Sequence, residues 1–246
     1  MTDIEKLRDM IDKSSRIVFM TGAGISTESG IADFRSENGI FNTIKKYGRS
    51  PEELLSHSFF CSHTDMFYEY YKPNFILTGI KPNRGHRAIA ELEKQGKVTA
   101  VVTQNVDGLH TMAGSQNVYE LHGSIYRNFC MKCGRSYTAE YVKASDGIPH
   151  CSCGGTIKPD IVLYEEALDD QTIRKASEAV TEADMLVVCG SSLVVYPAAG
   201  LVPMYSGNRL VIINKSETPY DRYADLVIHK SIGEVLGQAI EGGTSD

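Results

Sequence analysis

Five short apolar runs punctuate the chain, each closed by small or polar residues: Arg16–Met20, Lys97–Thr103, Asp184–Cys189, Arg209–Ile213 and Ala224–Ile228. They are rich in β-branched residues and do not alternate cleanly, as expected of strands covered on both faces. Between them, Gly85–Lys94, Asp169–Glu182 and Ser231–Ile240 read as helices, and Ile4, Leu7 and Ile11 fall at helical spacing in an amphipathic first helix. Strand–helix alternation of this kind predicts an α/β fold with a doubly wound parallel sheet. Two stretches break the alternation. Asn38–Pro82 is aromatic and helix-prone, and Ser124–Pro159 holds a cysteine cluster among turn residues. Both are expected to leave the main sheet and form a smaller lobe.

The chain has 246 residues, enough for one large domain with a small appendage. Hydrophobic residues at 42% and charged residues at 23% argue against a disordered chain. The balance of 25 basic and 31 acidic residues gives a charge of −6, which removes the general electrostatic case for direct nucleic-acid binding. The most apolar stretch, Leu193 to Met204, is too short to span a bilayer and is broken by Pro197 and Pro203, so no membrane association is expected. The N-terminus lacks the apolar core of a secretion signal, so a cytoplasmic location is expected. Persistent disulfides are rare there, and six cysteines need another explanation.

After the first strand the chain reads Thr21-Gly22-Ala23-Gly24-Ile25-Ser26-Thr27. Glycines at a strand-to-helix turn let backbone approach a pyrophosphate, whose charge a helix N-terminus stabilises. The usual dinucleotide fingerprint has a third glycine where Thr27 stands. A dehydrogenase also wants an acidic residue at the end of its second strand, and Asp107 lies far beyond the usual offset of about 20 residues. Ordinary hydride transfer is therefore disfavoured. Asp33-Phe34-Arg35 follows the loop. Arg35 offers a planar fork for phosphate and Phe34 a cover for a flat ring. The alternative is a surface ion pair beside a core phenylalanine.

Cys130-x-x-Cys133 and Cys151-x-Cys153 stand 17 residues apart, with Gly134 and Gly154 directly after each pair. Four thiolates from two tight turns satisfy tetrahedral zinc. Disulfide exchange is the competing reading of a C-x-x-C pair. A zinc ion held by four protein thiolates has no open position, so it would hold structure and do no chemistry. Cys61 and Cys189 are expected in the core.

Polar residues close the strands: Gln104-Asn105-Val106-Asp107, Gly190-Ser191-Ser192 and Asn214, with Leu121-His122-Gly123 leading into the cysteine segment. Side chains at the carboxyl ends of parallel strands line the ligand crevice of such sheets. Of seven histidines, His122 alone is flanked by a glycine that opens access and leads into the cysteine excursion.

In order, GAGISTESGIADFR, TQNVDGLH, ELHGS, the four cysteines, KPDIVLYEE, GSSLVVYPAA and IIN resemble the sirtuins, NAD-dependent protein lysine deacylases, over Ile4 to Ile240. The resemblance implies a Rossmann-like NAD-binding domain from residues 1–38, 83–123 and 160–241. It also implies a small lobe made of a helical insertion (39–82) and a zinc-binding module (124–159). Gly22, Ala23, Gly24, Thr27, Asp33, Phe34 and Arg35 would contact NAD. Gln104, Asn105, Val106, Asp107 and His122 would surround the nicotinamide riboside, Ser191, Ser192 and Asn214 the adenosine half, and Gly190 and Ile232 would also bind the cofactor. His122 and Asn105 are the implied catalytic residues, and Cys130, Cys133, Cys151 and Cys153 the implied ligands of one structural zinc.

In the reaction so implied, the acyl-lysine oxygen attacks C1′ of the ribose and expels nicotinamide. The histidine then acts as general base on a ribose hydroxyl, and the products are lysine, nicotinamide and O-acyl-ADP-ribose. An imidazole with an unperturbed pKa near about 6.5 supplies a neutral base at cytoplasmic pH. A closing aromatic ring such as Phe34 suits the need to keep water from the ribose. Partners are acetylated or otherwise acylated lysine proteins, entering as an extended strand between the lobes. Val162, Leu163 and Tyr164 on one side and Val194, Val195 and Tyr196 on the other are the matching edges.

Two departures matter. Phenylalanine-glycine-glutamate of the family reads Tyr164-Glu165-Glu166, which raises a preference for basic residues flanking the lysine. The Tyr-x-x-Arg of members that take acidic acyl groups has Tyr71-x-x-Asn74 as its nearest match, without the cation. Neutral acyl groups are therefore expected. Competing functions are protein mono-ADP-ribosylation from the same pocket, and a non-catalytic module that binds NAD or ADP-ribose.

Overall fold

The computed structural model describes residues 1–32 and 37–241, so Asp33, Phe34 and Arg35 lie outside the described residues. The described strands are β1 (Ile17–Thr21), β2 (Val98–Thr103), β3 (Val118–Glu120), β4 (Gly123–Cys130), β5 (Ser136–Tyr137), β6 (Ile157–Ile161), β7 (Met185–Cys189), β8 (Leu210–Ile213) and β9 (Leu226–Ile228). The α-helices are α1 (Asp3–Asp12), α2 (Glu37–Tyr47), α3 (Pro51–Leu54), α4 (His57–Ser62), α5 (Thr64–Phe75), α6 (Arg84–Lys94), α7 (Leu109–Ala113), α8 (Ala139–Ala144), α9 (Asp170–Glu182) and α10 (Ile232–Glu241).

Six strands form one parallel sheet in the order β3-β2-β1-β7-β8-β9. Counted within the sheet, this is the 3-2-1-4-5-6 order whose reversal lies between β1 and β7. Every residue of β1, β7 and β8 is buried, which explains their unbroken apolar runs. Successive side chains point to opposite faces. Ile17, Phe19 and Val187 pack on α1, α6 and α10 through Leu7, Ile89 and Leu236. Val18, Met20 and Val188 pack on α9 and the turn at Ala198–Met204 through Val180, Leu201 and Val202. Side-chain caps set helix starts: Asn83 accepts from the first turn of α6, and Asp169 accepts from Thr172 at the start of α9.

The two excursions share one core. Leu54, Phe60, Phe67, Tyr68 and Tyr71 of the helical segment pack against Ile125, Val142, Ile157 and Ile161 of the cysteine segment. The latter is a small antiparallel sheet in the order β5-β4-β6. Phe67 is fully buried and stacks on Tyr71, with ring centroids 5.4 Å apart. Phe67→Ala is expected to cost about 3–5 kcal/mol, from lost transfer energy plus a cavity. Urea unfolding measures it, and a loss under about 1 kcal/mol would contradict this packing.

Sequence and structure differ in several places. Cys61, expected in the core, is exposed on α4, whereas Cys189 is buried. The helix after the glycine loop is a 3₁₀ turn, Ala23–Ser29, not an α-helix. The edge strand β3 is only three residues long and half-buried, too short for a periodicity signal. Strands β4 and β6 lie where turn residues alone were expected, because cysteines and glycines flank their apolar positions. No described helix is long and apolar enough to cross a membrane.

Candidate active site

The sheet reversal brings two glycine loops together. Gly24 N–H donates to Gly190 O over 2.9 Å, and a Cβ at Gly24 would stand 2.6 Å from Gly190 Cα. No side chain fits there, so the loops after β1 and β7 meet backbone to backbone at the mouth of the crevice. Thr27, in place of a third glycine, turns its hydroxyl onto Gly24 O at 2.9 Å.

Gln104, just beyond β2, ties three parts of the site. Its N–H donates to Thr21 O at 2.9 Å and its side-chain amide to Ser191 Oγ at 2.9 Å. Its carbonyl lies 2.9 Å from His122 Nδ1. A carbonyl only accepts, so Nδ1 carries the proton and, in the neutral ring, Nε2 holds the lone pair. His122 O in turn accepts from Val162 N–H over 3.0 Å. Gly123, at φ +77°, is required for packing rather than access: a Cβ there would lie 2.0 Å from Asp160 O.

Ser26 is buried and gathers the other polar groups. Its hydroxyl donates to Asp107 Oδ2 at 2.7 Å and accepts from Asn105 Nδ2 at 3.0 Å. Burial pushes the Asp107 carboxyl up, opposed by hydrogen bonds from Leu109 N–H and Ser26.

These residues open on a cleft of about 330 Å³ between the lobes. It brings together eleven of the expected residues: Ala23, Gln104, Asn105, Val106, Asp107, His122, Val162, Leu163, Tyr164, Val195 and Tyr196. Gly22, Gly24, Thr27, Gly190, Ser191, Ser192, Val194 and Asn214 are not among its lining. Val194 is 60% exposed, and Asn214 turns its amide onto Ser216 O at the end of β8. Ile232 is buried in the core beneath the sheet. Sequence reasoning missed Ser26, Ile31, Phe75, Leu77, Ile80 and Ile125 on the cleft. Ser26 was findable, as a hydroxyl inside the glycine loop. The apolar residues carry no signal of their own beyond the aromatic segment.

The 162–166 segment is strapped to the helical insertion. Tyr164 N–H donates to Leu55 O and Tyr164 O accepts from His57 N–H, each over 3.0 Å. Glu165 sits at φ +76°, the backbone glycine would adopt there, and its carboxylate accepts from Ser58 N–H and Oγ at 2.9 Å each. Glu166 accepts from Leu163 N–H, from His57 Nδ1 and from the buried Lys158 ammonium, at 2.9, 2.8 and 3.1 Å.

The four cysteines form one cluster, their sulfurs all within 4.8 Å of one another. The closest approaches run between the pairs: Cys130–Cys153 at 3.5 Å and Cys133–Cys151 at 3.6 Å. A tetrahedron with zinc–sulfur bonds of about 2.3 Å has edges of about 3.8 Å, so the cluster fits the ion. Lys132 N–H and Cys153 N–H point at Cys130 and Cys151 sulfur at 3.4 and 3.5 Å. A redox pair within one C-x-x-C turn would not bring all four together.

A six-stranded nucleotide-binding sheet, a lobe pinned by four thiols and a tautomer-fixed histidine between them define a two-lobed α/β enzyme that works on a dinucleotide. The chain belongs to the Sir2 family, which residues 22–197 match. It is 56% identical to an NAD-dependent protein deacetylase of Clostridium acetobutylicum, covering 96% of this chain and 98% of that one. A protein of the same description from Staphylococcus epidermidis is 45% identical over 98% of both chains. Among solved structures, a Sir2 with a p53 peptide and NAD⁺ superposes with a TM-score of 0.87 at 38% identity, covering 99% of each chain. A Sir2 bound to an acetylated peptide gives 0.84 at 37% identity, again over 99% of each.

Proposed function

We propose that this chain is an NAD-dependent protein lysine deacetylase, the activity its relatives are named for, with His122 as general base. The observation that carries the reading is the His122–Gln104 hydrogen bond. It holds the imidazole in the tautomer whose Nε2 is the basic nitrogen, in a cleft shared by the glycine loop and the 162–166 strap. Bound NAD supplies the ribose carbon that takes the acyl oxygen as nicotinamide leaves. His122 then receives the proton of a ribose hydroxyl at Nε2, while Gln104 O steadies the ring through Nδ1–H.

Asn105 and Asp107 hold the nicotinamide end through Ser26, and the close packing of Gly24 on Gly190 sets the two loops that would carry the phosphates. Apolar groups at Ile31, Phe75, Leu77, Ile80 and Ile125 exclude water around the acyl chain. The substrate is an acyl-lysine segment laid between the 162–164 edge and Val195–Tyr196. Tyr164 spends both backbone groups on residues 55 and 57, Leu163 both on Glu166, and Val162 its N–H on His122 O, so the Val162 carbonyl is the group offered for pairing on this edge. One zinc on the four cysteines has a structural role.

The acyl group is neutral in this reading. Among the described residues that line the cleft there is no lysine or arginine, while Glu52, Asp107, Glu165 and Glu166 are present. Tyr71 is fully buried among aromatic rings, and Asn74 turns its amide onto Tyr70 O. Succinyl-lysine would leave its carboxylate without a cation, which is expected to lower kcat/KM by about 10²-fold relative to acetyl-lysine.

Incubation with NAD and matched acetyl- and succinyl-peptides, read by mass spectrometry of peptide and cofactor, tests both statements. Loss of one acetyl group, with one nicotinamide released per lysine, is the expected result. NAD consumption with an unchanged peptide would overturn deacetylation, and an added ADP-ribose mass on protein would replace it with ADP-ribosyl transfer.

A further inference from the structure

Ser26 has a support that never touches the cleft. His86, in α6, is fully buried and lines no part of the cavity. Asn83 N–H donates to His86 Nδ1 over 3.4 Å. A backbone N–H only donates, so Nδ1 is the bare nitrogen and the neutral ring carries its proton on Nε2. That Nε2 lies 3.5 Å from Ser26 Oγ, so this longer contact runs from histidine to serine. Asn105 Nδ2 is a second donor to the same oxygen, at 3.0 Å. With two donors arriving, the single hydroxyl proton has one direction left, toward Asp107 Oδ2 at 2.7 Å. Leu109 N–H occupies the other carboxylate oxygen at 2.9 Å. The direction of each proton in the chain follows from its neighbours.

We infer that His86 is a positioning residue for the nicotinamide end of the site: by donating to Ser26 it fixes the serine proton on Asp107 and keeps Asn105 and Asp107 in one hydrogen-bonding state toward the cleft. The inference rests on the NAD reading above and adds a residue that contacts no ligand. Burial, with Arg87 next, holds the His86 pKa down to about 4, so the donating, uncharged form persists at neutral pH. The His110 ring packs beside it, centroids 4.8 Å apart, and is likewise held neutral, its pKa lowered to about 3 by burial and then by His86. The pair therefore brings no charge under the site.

Three variants of the full chain separate positioning from mere packing. Glutamine places an amide nitrogen near the lost Nε2, asparagine places one near Nδ1, and leucine keeps volume without a donor. The wild type is first assayed with acetyl-peptide and NAD, so failure of the deacetylase reading shows there. Nicotinamide binding in the presence of ADP-ribose is then measured by ligand-observed NMR, which needs no turnover. His86→Leu and His86→Asn are expected to weaken nicotinamide binding about tenfold, with ADP-ribose affinity within about twofold and His86→Gln close to wild type. Should His86→Leu fail to fold, the contrast between His86→Gln and His86→Asn decides. Equal nicotinamide affinity in all variants, a parallel loss of both ligands, or no recovery with glutamine would overturn the assignment.

Discussion

Replacing His122 with alanine is expected to lower kcat/KM for acetyl-peptide by about 10³-fold, within the 10²–10⁴ range of general-base catalysis. That is about 4 kcal/mol of transition-state stabilisation. The ring is half-buried, so its removal opens no closed cavity in the core, and Nδ1 gives up its hydrogen bond to Gln104 O. The melting temperature should move by only a few degrees. In the proposed order His122 acts after nicotinamide has left, so exchange of labelled nicotinamide into NAD should fall far less than deacetylation. Steady-state kinetics and an exchange assay on the same preparation check both. A variant that keeps a tenth or more of the parent rate would remove His122 from the role of base.

Stripping the metal is the second large effect. Structural zinc in small domains carries apparent binding energies of about 10–16 kcal/mol, which is folding energy when the site does not exist in the unfolded chain. Here Cys130 ends β4, Cys151 lies between β5 and β6, and both are buried in the small-lobe core with Phe60 and Tyr68. The same lobe supplies Ile125 and the 161–166 wall of the cleft. A strong chelator, or Cys151→Ala, should therefore release one zinc per chain, melt the small lobe and abolish deacetylation. The large sheet should remain. Metal analysis, circular dichroism and the peptide assay together give the answer. Full activity in metal-free protein would refute a structural role.

The large sheet was legible because its strands are buried on both faces, and burial leaves no choice but apolar runs such as Ile17–Thr21 and Met185–Cys189. The cysteine quartet was legible because metal chemistry restricts spacing. His122, Asn105 and Asp107 stood out as polar residues at strand ends. The antiparallel sheet of the small lobe was not visible, since its strands are stabilised by partners distant in sequence: β4 pairs with β6, beginning with Gly123 opposite Ile161. Likewise, Glu165 read as a charge beside the peptide path, whereas the fold turns that carboxylate onto Ser58. Its backbone keeps the glycine-like conformation, a fact no side-chain pattern announces. His86 looked like one histidine of seven, and only the directions of its hydrogen bonds distinguish it.

The small lobe's aromatic core joins residues from Leu54 to Leu163, with β2 and β3 of the other sheet threaded between its two halves. Neither half can be cut out and folded by itself, for each would present an oily flank to water. Chain closure over that span delays the lobe's assembly until β2 and β3 have been made. Nascent chains released before about residue 163 should consequently be poor substrates for folding and good ones for proteases.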